Sequence, residues 1–299
     1  MKKHANTSFT HCLIITLKPF LYLFEFILTI ATRIKVEILL LLGTNATRKN
    51  QEFINAAKYN HVAILKRLRA HGVDSNTSNK DGNTALIIAA AYGHIKTIEF
   101  LINNGAEVNQ VNNYGRSALI LAAFNNHKEC AQRLLQAHAS LATADNDGNT
   151  ALMAAAANGC KNATELLIQH GANINTTNKF GYTALIFAAA QGDKESVQML
   201  LEHGAQVNAT TKHGYTALMD AAYWGDKDIV ALLLKHGANV NAINTNCHTA
   251  LTLATHQGHE EIVAMLLKHG ADSSIKNNTS KTVKDSTSQL LEDNFEYSE

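Results

Sequence analysis

The sequence predicts an all-α repeat solenoid, built of stacked helix–turn–helix–hairpin units behind an apolar helical N-terminal extension. Three observations predict it. Thr84, Ser117, Thr150, Thr183, Thr216 and Thr249 lie 33 residues apart, and each is followed by Ala-Leu. Each triplet opens an Ala-rich run, and a second apolar run such as Ile95 to Ile102 comes after it. The second run ends at a Gly-Ala pair, as at 105–106, 171–172, 204–205, 237–238 and 270–271. A fixed period of this length marks units that cannot bury their apolar faces singly and must stack to do so.

Each element of a unit has a local cause. A Thr or Ser hydroxyl at the head of the first run can accept the free N–H groups of a helix start. Small residues such as Ala89 and Ala90 let that short helix lie close to its neighbours. In the second run Ile98, Leu101 and Ile102 fall at i, i+3 and i+4, one apolar helical stripe. Val197, Leu200 and Leu201 repeat it, as do Val230, Leu233 and Leu234, then Val263, Leu266 and Leu267. A terminal Gly takes the left-handed conformation that stops a helix. Turn-forming segments at 79–82, 145–148 and 211–214 then predict a protruding hairpin.

These residues resemble the ankyrin repeat family, whose unit is about 33 residues long and carries a T-P-L-H-x-A signature. Ala85, Ala151 and Ala184 stand where the signature has Pro, and Ile87, Ile120, Met153, Ile186, Met219 and Thr252 where it has His. Ala is the best helix former, so the helix survives loss of the Pro. Loss of the His removes one hydrogen-bond partner for the hairpin. Six full units begin near Asn79, Asn112, Asp145, Asn178, Thr211 and Asn244. The division expected is an apolar segment over 1–50, an N-terminal capping repeat over 51–78, six repeats over 79–276, and a C-terminal cap with an acidic tail over 277–299. The capping repeat lacks the Thr-Ala-Leu head, as suits a unit with water on one side. The unit from Asn112 to Ala144 departs most: Asn126 and His138 replace helix-ending glycines, and it should be locally softer. Cys247 likewise replaces a turn glycine.

Bulk composition removes several function classes. Twenty-six basic residues against twenty-five acidic ones leave no basic stripe for a phosphate backbone, so no nucleic-acid partner is expected. The four cysteines show no CxxC pairing, which argues against a disulfide framework or a zinc ribbon. His170, His203, His236 and His269 recur once per unit, but each falls in the last turn of a helix, where it suits the dipole, and stacking would hold them too far apart to share a metal. No nucleotide-binding, hydrolase or metalloprotease motif occurs. Asp220 is a lone acid on a first helix, suited to a polar contact. Neither an enzymatic activity nor a cofactor is expected.

The resemblance implies that hairpin tips and the exposed face of the first helices form a concave partner surface. Mapped by the period, the hairpin positions carry Tyr114, Phe180, Tyr182, His213 and Tyr215, and the first-helix ends carry Tyr92, Phe124, Tyr223 and Trp224. Aromatic side chains are the usual anchors of interfaces. Tyr182 and Tyr215, beside their own turns, also suit packing between hairpins. The implied function is a monomeric protein-interaction scaffold or adaptor. The alternative is a membrane-anchored or secreted ankyrin effector of an intracellular microbe acting on host proteins, since the acidic end at 291–299 resembles effector export signals. The apolar stretch over 13–42 stays open between a bilayer span interrupted by Lys18, Pro19 and Glu25, a cleaved signal, and helical material packed on the first repeat.

Overall fold

A helix of seven residues needs both a cap and a neighbour, and the chain supplies the two together. In the computed structural model, which describes residues 30–38 and 45–275, each Thr or Ser at a triplet head caps a first helix. Its side-chain oxygen accepts the backbone N–H three residues on, at 3.2–3.4 Å, from Thr84–Ile87 through Thr249–Thr252. The helices begin with α1 (30–38), α2 (Ala46–Lys58) and α3 (Val62–Ala70). First and second helices then alternate as α4 (Ala85–Ala91), α5 (Ile95–Asn103), α6 (Ala118–Phe124), α7 (Lys128–Gln136), α8 (Ala151–Ala157) and α9 (Lys161–Gln169). The series closes with α10 (Ala184–Ala190), α11 (Lys194–Glu202), α12 (Ala217–Trp224), α13 (Lys227–Lys235), α14 (Ala250–Gln257) and α15 (Glu260–Lys268). Among the described residues no strand forms; the hairpins contribute only isolated bridges, such as Ser78 to Thr84.

The core runs unbroken from repeat to repeat. Ala85, Ala89 and Ala90 are fully buried, as are Ile98 and Leu101 of the stripe behind them. First helices pack on one another more extensively than second helices do. The small alanines permit that approach, and the closer spacing makes the first-helix side the inner side of the curve. Surface pairs between second helices, such as Lys194–Asp228 at 2.8 Å, add little beyond this burial.

The hairpins are braced without the signature His. Ile87, Ile120, Met153, Ile186 and Met219 are buried apolar residues instead. The residue opening each unit does the bracing: Asn178 Oδ1 accepts from the N–H groups of Phe180 and Tyr182, both at 2.9 Å, and Asn79, Asn112, Asp145 and Asn244 repeat the pattern. Hairpins also bond to each other, as where Lys212 N–H donates to Phe180 O and Thr245 N–H to His213 O, at 2.9 and 3.0 Å.

Two further ladders join the repeats. Asn76, Asn109, Asn175, Asn208 and Asn241 each donate to a carbonyl of the next repeat and accept one of its backbone N–H groups; for Asn175 the partners are Gly204 O at 3.0 Å and Gln206 N at 2.8 Å. At this register the remaining repeat has Ala142, and one rung is missing. In the second ladder His94, His127 and His259 donate a ring N–H to the carbonyls of Lys58, Ala91 and Tyr223 in the preceding repeat.

Asn126, His138 and Cys247 do take the left-handed backbone, with φ of 57°, 62° and 58°. The helical pair that contains Gln51 opens earlier than the boundary at 51. Helix α2 starts at Ala46, where Asn45 Oδ1 accepts Arg48 N–H, a cap with no Thr-Ala-Leu head to advertise it. Helix α1 lies against α2 and α3: Val36 is 1 % exposed, Lys35 pairs with Glu52 at 2.6 Å, and Arg67 pairs with Glu37 at 3.0 Å. No helix among the described residues is long and apolar enough to cross a membrane. The expectations placed on 13–29 and 39–42, on the C-terminal cap and on the acidic tail lie outside the described residues.

The repeat from 112 to 144 therefore carries both a strained His138 and the missing rung. His138→Gly relieves about 1 kcal/mol of backbone strain, and Ala142→Asn adds a bidentate link worth about 1 kcal/mol. Each substitution raises the melting temperature by about 2–4 °C in a thermal scan followed by circular dichroism. An unchanged or lower value for either variant refutes the corresponding assignment.

Candidate functional site

Seven-residue helices bury most of their surface and leave one strip outside the core. Residues 33 apart line it in columns. The innermost column is Ile88, Leu121, Ala154, Phe187, Asp220 and Leu253, and the next is Ala91, Phe124, Ala157, Ala190, Tyr223 and His256. On the hairpin side a third column, Asn83, Arg116, Asn149, Tyr182, Tyr215 and His248, borders the strip. Together they form a groove along the inner side of the stack.

The groove is not uniform. Ala154 and Ala157 are small where the flanking repeats place Leu121, Phe124 and Phe187, and a pocket of about 170 Å³ opens between them. Met153 and Ile120 line its depth, and Arg116 and Asp145 stand at the hairpin edge with Arg116 Nε 3.8 Å from Asp145 Oδ2. Two repeats further on, Asp220 is half-buried, and burial pushes its carboxyl up to about 7. Among the described residues that carboxyl makes no hydrogen bond and no ion pair. The Tyr182 phenol is held above its ordinary value by burial first, then by the charges of Asp220 and Tyr215, which places these three groups in one neighbourhood.

The aromatic candidates divide by environment. Tyr223 (39 % exposed) and Trp224 (61 % exposed) meet edge to face with ring centroids 5.1 Å apart at the end of α12. Phe124 is exposed and walls the pocket opposite Phe187. Phe180 is exposed at a hairpin tip, and Tyr114 is exposed with the Arg116 guanidinium 6.0 Å from its ring centre. Tyr92 lies apart from these, exposed at the end of α4, stacked on His94 and 5.7 Å from Lys58 Nζ. Tyr182 and Tyr215 are half-buried against the core, and Tyr182 stacks on Phe187 at 4.9 Å and 18°. Tyr215 also stands where Asn83 and Asn149 accept from Asn112 and Asn178, so Asn244 Nδ2 is left without a partner. Aromatic content alone missed Phe187, Arg116, the alanine notch and the setting of Asp220. Ala154 and Asp220 show in the sequence as breaks in the innermost column, between Leu121 and Phe187 and between Phe187 and Leu253; Phe187 and Arg116 break no column.

The recurring histidines have partners already. His170, His203, His236 and His269 each direct Nδ1 to the carbonyl four residues earlier at 2.8 Å. Among the described residues no group of three His, Cys, Asp or Glu side chains is placed to hold a metal ion. Burial and the Glu129 charge raise the Cys130 thiol to about 11, far from a reactive thiolate.

Capped short helices, hairpins bonded in register and a continuous inner groove define a helical-repeat binding scaffold. The three-copy ankyrin repeat profile matches residues 30–112, 53–145, 108–178, 129–211, 172–244 and 207–277. The chain belongs to the ankyrin repeat family. Among solved structures it is similar to the crystal structure of the human ASB11 ankyrin repeat domain, with a TM-score of 0.65 and 27 % identity over 72 % of this chain and 96 % of that one. A search of curated proteins gives no match. Ankyrin repeats are generally protein–protein interaction modules, and their proteins are typically non-enzymatic scaffolds.

Asp220 gives the groove a measurable pH signature. Folding raises its pKa above that of an unfolded carboxylate, so its protonated form favours the folded state and that contribution is lost as pH rises to 7 and beyond. Asp220→Asn is therefore more stable than the wild type by ~2 kcal/mol at pH 8, and the two converge near pH 4. Denaturant titrations at both pH values check this. An equal difference at pH 4 and pH 8 shows an ordinary surface acid.

Proposed function

We propose that the protein is a scaffold or adaptor that binds a partner protein along the inner groove, with Tyr223 and Trp224 as its anchors. The observation carrying this reading is the exposure of Trp224. Leu218, Met219, Ala221 and Ala222 of the same helix are buried, yet its largest apolar side chain lies mostly in water beside a second aromatic. Burying such a pair on association is strongly favourable, and aromatic pairs of this kind dominate binding energy. Phe124, Tyr114 and Phe180 extend the surface toward the pocket and the hairpin tips, and Tyr92 serves a contact at the N-terminal end. Tyr182 and Tyr215 support the groove wall from behind. The protein acts as a monomer, its division into repeats continuing N-terminally with α1 as the second helix of a partial unit. The match to the family profile from residue 30 and the burial of Val36 support the partial N-terminal unit.

Affinity capture with the full chain, followed by titration of the captured partner, tests the groove. Replacing Tyr223 and Trp224 together by Ala weakens binding by about 30-fold or more with little change in helical circular dichroism. Unchanged affinity would remove these residues from the interface.

A further inference from the structure

The inner column holds five apolar residues and one acid. An ionised carboxylate in an apolar, half-buried strip is unfavourable unless something positive answers it. Among the described residues nothing does: Asp220 has no cationic partner and no hydrogen-bond donor on its side chain. Its surroundings are aromatic. Tyr223 and Trp224 follow it at i+3 and i+4, on the same helix face. Phe187 occupies the neighbouring place in the column with Tyr182 stacked on it, and Tyr215 stands at the hairpin base of the same repeat. A carboxylate among ring faces matches a lysine or arginine side chain: the charge meets the acid, the ring faces attract the cation, and the aliphatic stem covers apolar surface.

Resting on the reading of the groove as a partner site, we propose that the partner presents a lysine or arginine to Asp220, seated against the Tyr182–Phe187 stack and the Tyr223–Trp224 pair. Phe187 is also a wall of the pocket over Ala154 and Ala157, so the basic residue is accompanied by an apolar one that enters that pocket. Asp220 and Ala154 are two helix-packing steps apart, about 16–20 Å. An extended segment crosses that span in about five or six residues. The partner segment thus carries one basic and one apolar side chain at that separation. Burial already holds the Asp220 carboxyl at about 7, so a bound cation draws it fully into its charged form.

The test is selection of a displayed library of random 12-residue peptides on the full-length wild type and on Asp220→Asn. Peptides selected on the wild type should share a lysine or arginine and, about five or six residues away, a leucine, phenylalanine or methionine. A synthetic peptide of that consensus should bind Asp220→Asn at least about tenfold more weakly. Exchanging its basic residue for methionine should cost the same against the wild type and nothing further against Asp220→Asn. Peptides that depend on Tyr223 and Trp224 but show no basic preference, or bind Asp220→Asn equally well, overturn the proposal and leave the groove reading intact. No enrichment, or enriched peptides indifferent to the Tyr223→Ala/Trp224→Ala pair, overturns both.

Discussion

Every first helix between Thr84 and Trp224 is seven or eight residues long, and such a helix is not stable alone in water. Contact with the next copy is what holds it. The alanines at 85, 89 and 90 and their equivalents are fully buried because the neighbouring helix occupies the space a larger side chain would need. That single requirement fixes the rest. It sets the 33-residue period, since a repeat of another length would bring the wrong face to its neighbour. It draws the first helices closer together than the second helices, and so decides which side of the stack is the inner one. It also restricts each first helix to one outward strip, from which the groove is made.

The sequence displayed what is local and left hidden what exists only after stacking. Caps, apolar stripes and left-handed stops depend on residues within a few positions, so Thr84, Leu101 and even the deviant His138 were readable at once. The asparagine ladder is not legible in this way, although Asn175, Asn208 and Asn241 recur with the same period as the threonines. An exposed Asn in a turn has many uses, and its two bonds to the next repeat appear only when that repeat is in place. The aromatic positions were legible as a set but not singly. Tyr182 and Tyr223 both sit at non-core places in the period, yet Tyr182 is half-buried with its face on Phe187, while Tyr223 stays exposed with only the edge contact to Trp224.

The departures from the pattern lie where the next repeat leaves room for them. A Cβ on Gly93 would come within 2.7 Å of the His127 ring, whereas Asn60, at the same register one repeat earlier and with φ of 56°, is accommodated ahead of His94. Asn126 occupies the same register, and the residue after it in the stack is the smaller Cys160, which turns its thiol to Phe124 O at 3.3 Å. His138 has a different excuse: at Gly105, Gly171 and Gly204, its counterparts, a Cβ would meet nothing within 4 Å. The cost there is backbone strain alone. Cys247 replaces a turn glycine whose counterpart Gly181 has the next hairpin's Lys212 N only 2.8 Å from an added Cβ. The residues one period further on, from 276, lie outside the described residues.

Residues that repeat build the stack, and residues that break the period cannot be serving it in the same way. Ala154 interrupts a bulky column and leaves an empty notch; Asp220 interrupts an apolar column and, left unpaired, lowers the stability of the free fold when ionised. Trp224 occupies a place filled by Tyr59 and Tyr92 in the first two repeats and by the polar Asn125, Asn158, Gln191 and Gln257 in the others. Each of the three is unfavourable or indifferent for an isolated solenoid. All three open onto one groove, two of them on a single helix. An unfilled notch, an unpaired acid and an exposed aromatic pair on one face, none of them serving the stack, support the reading of that face as a partner surface. The repeat architecture supplies rigidity and register, and on the proposed reading the irregular positions along its inner side supply the chemistry that a partner answers.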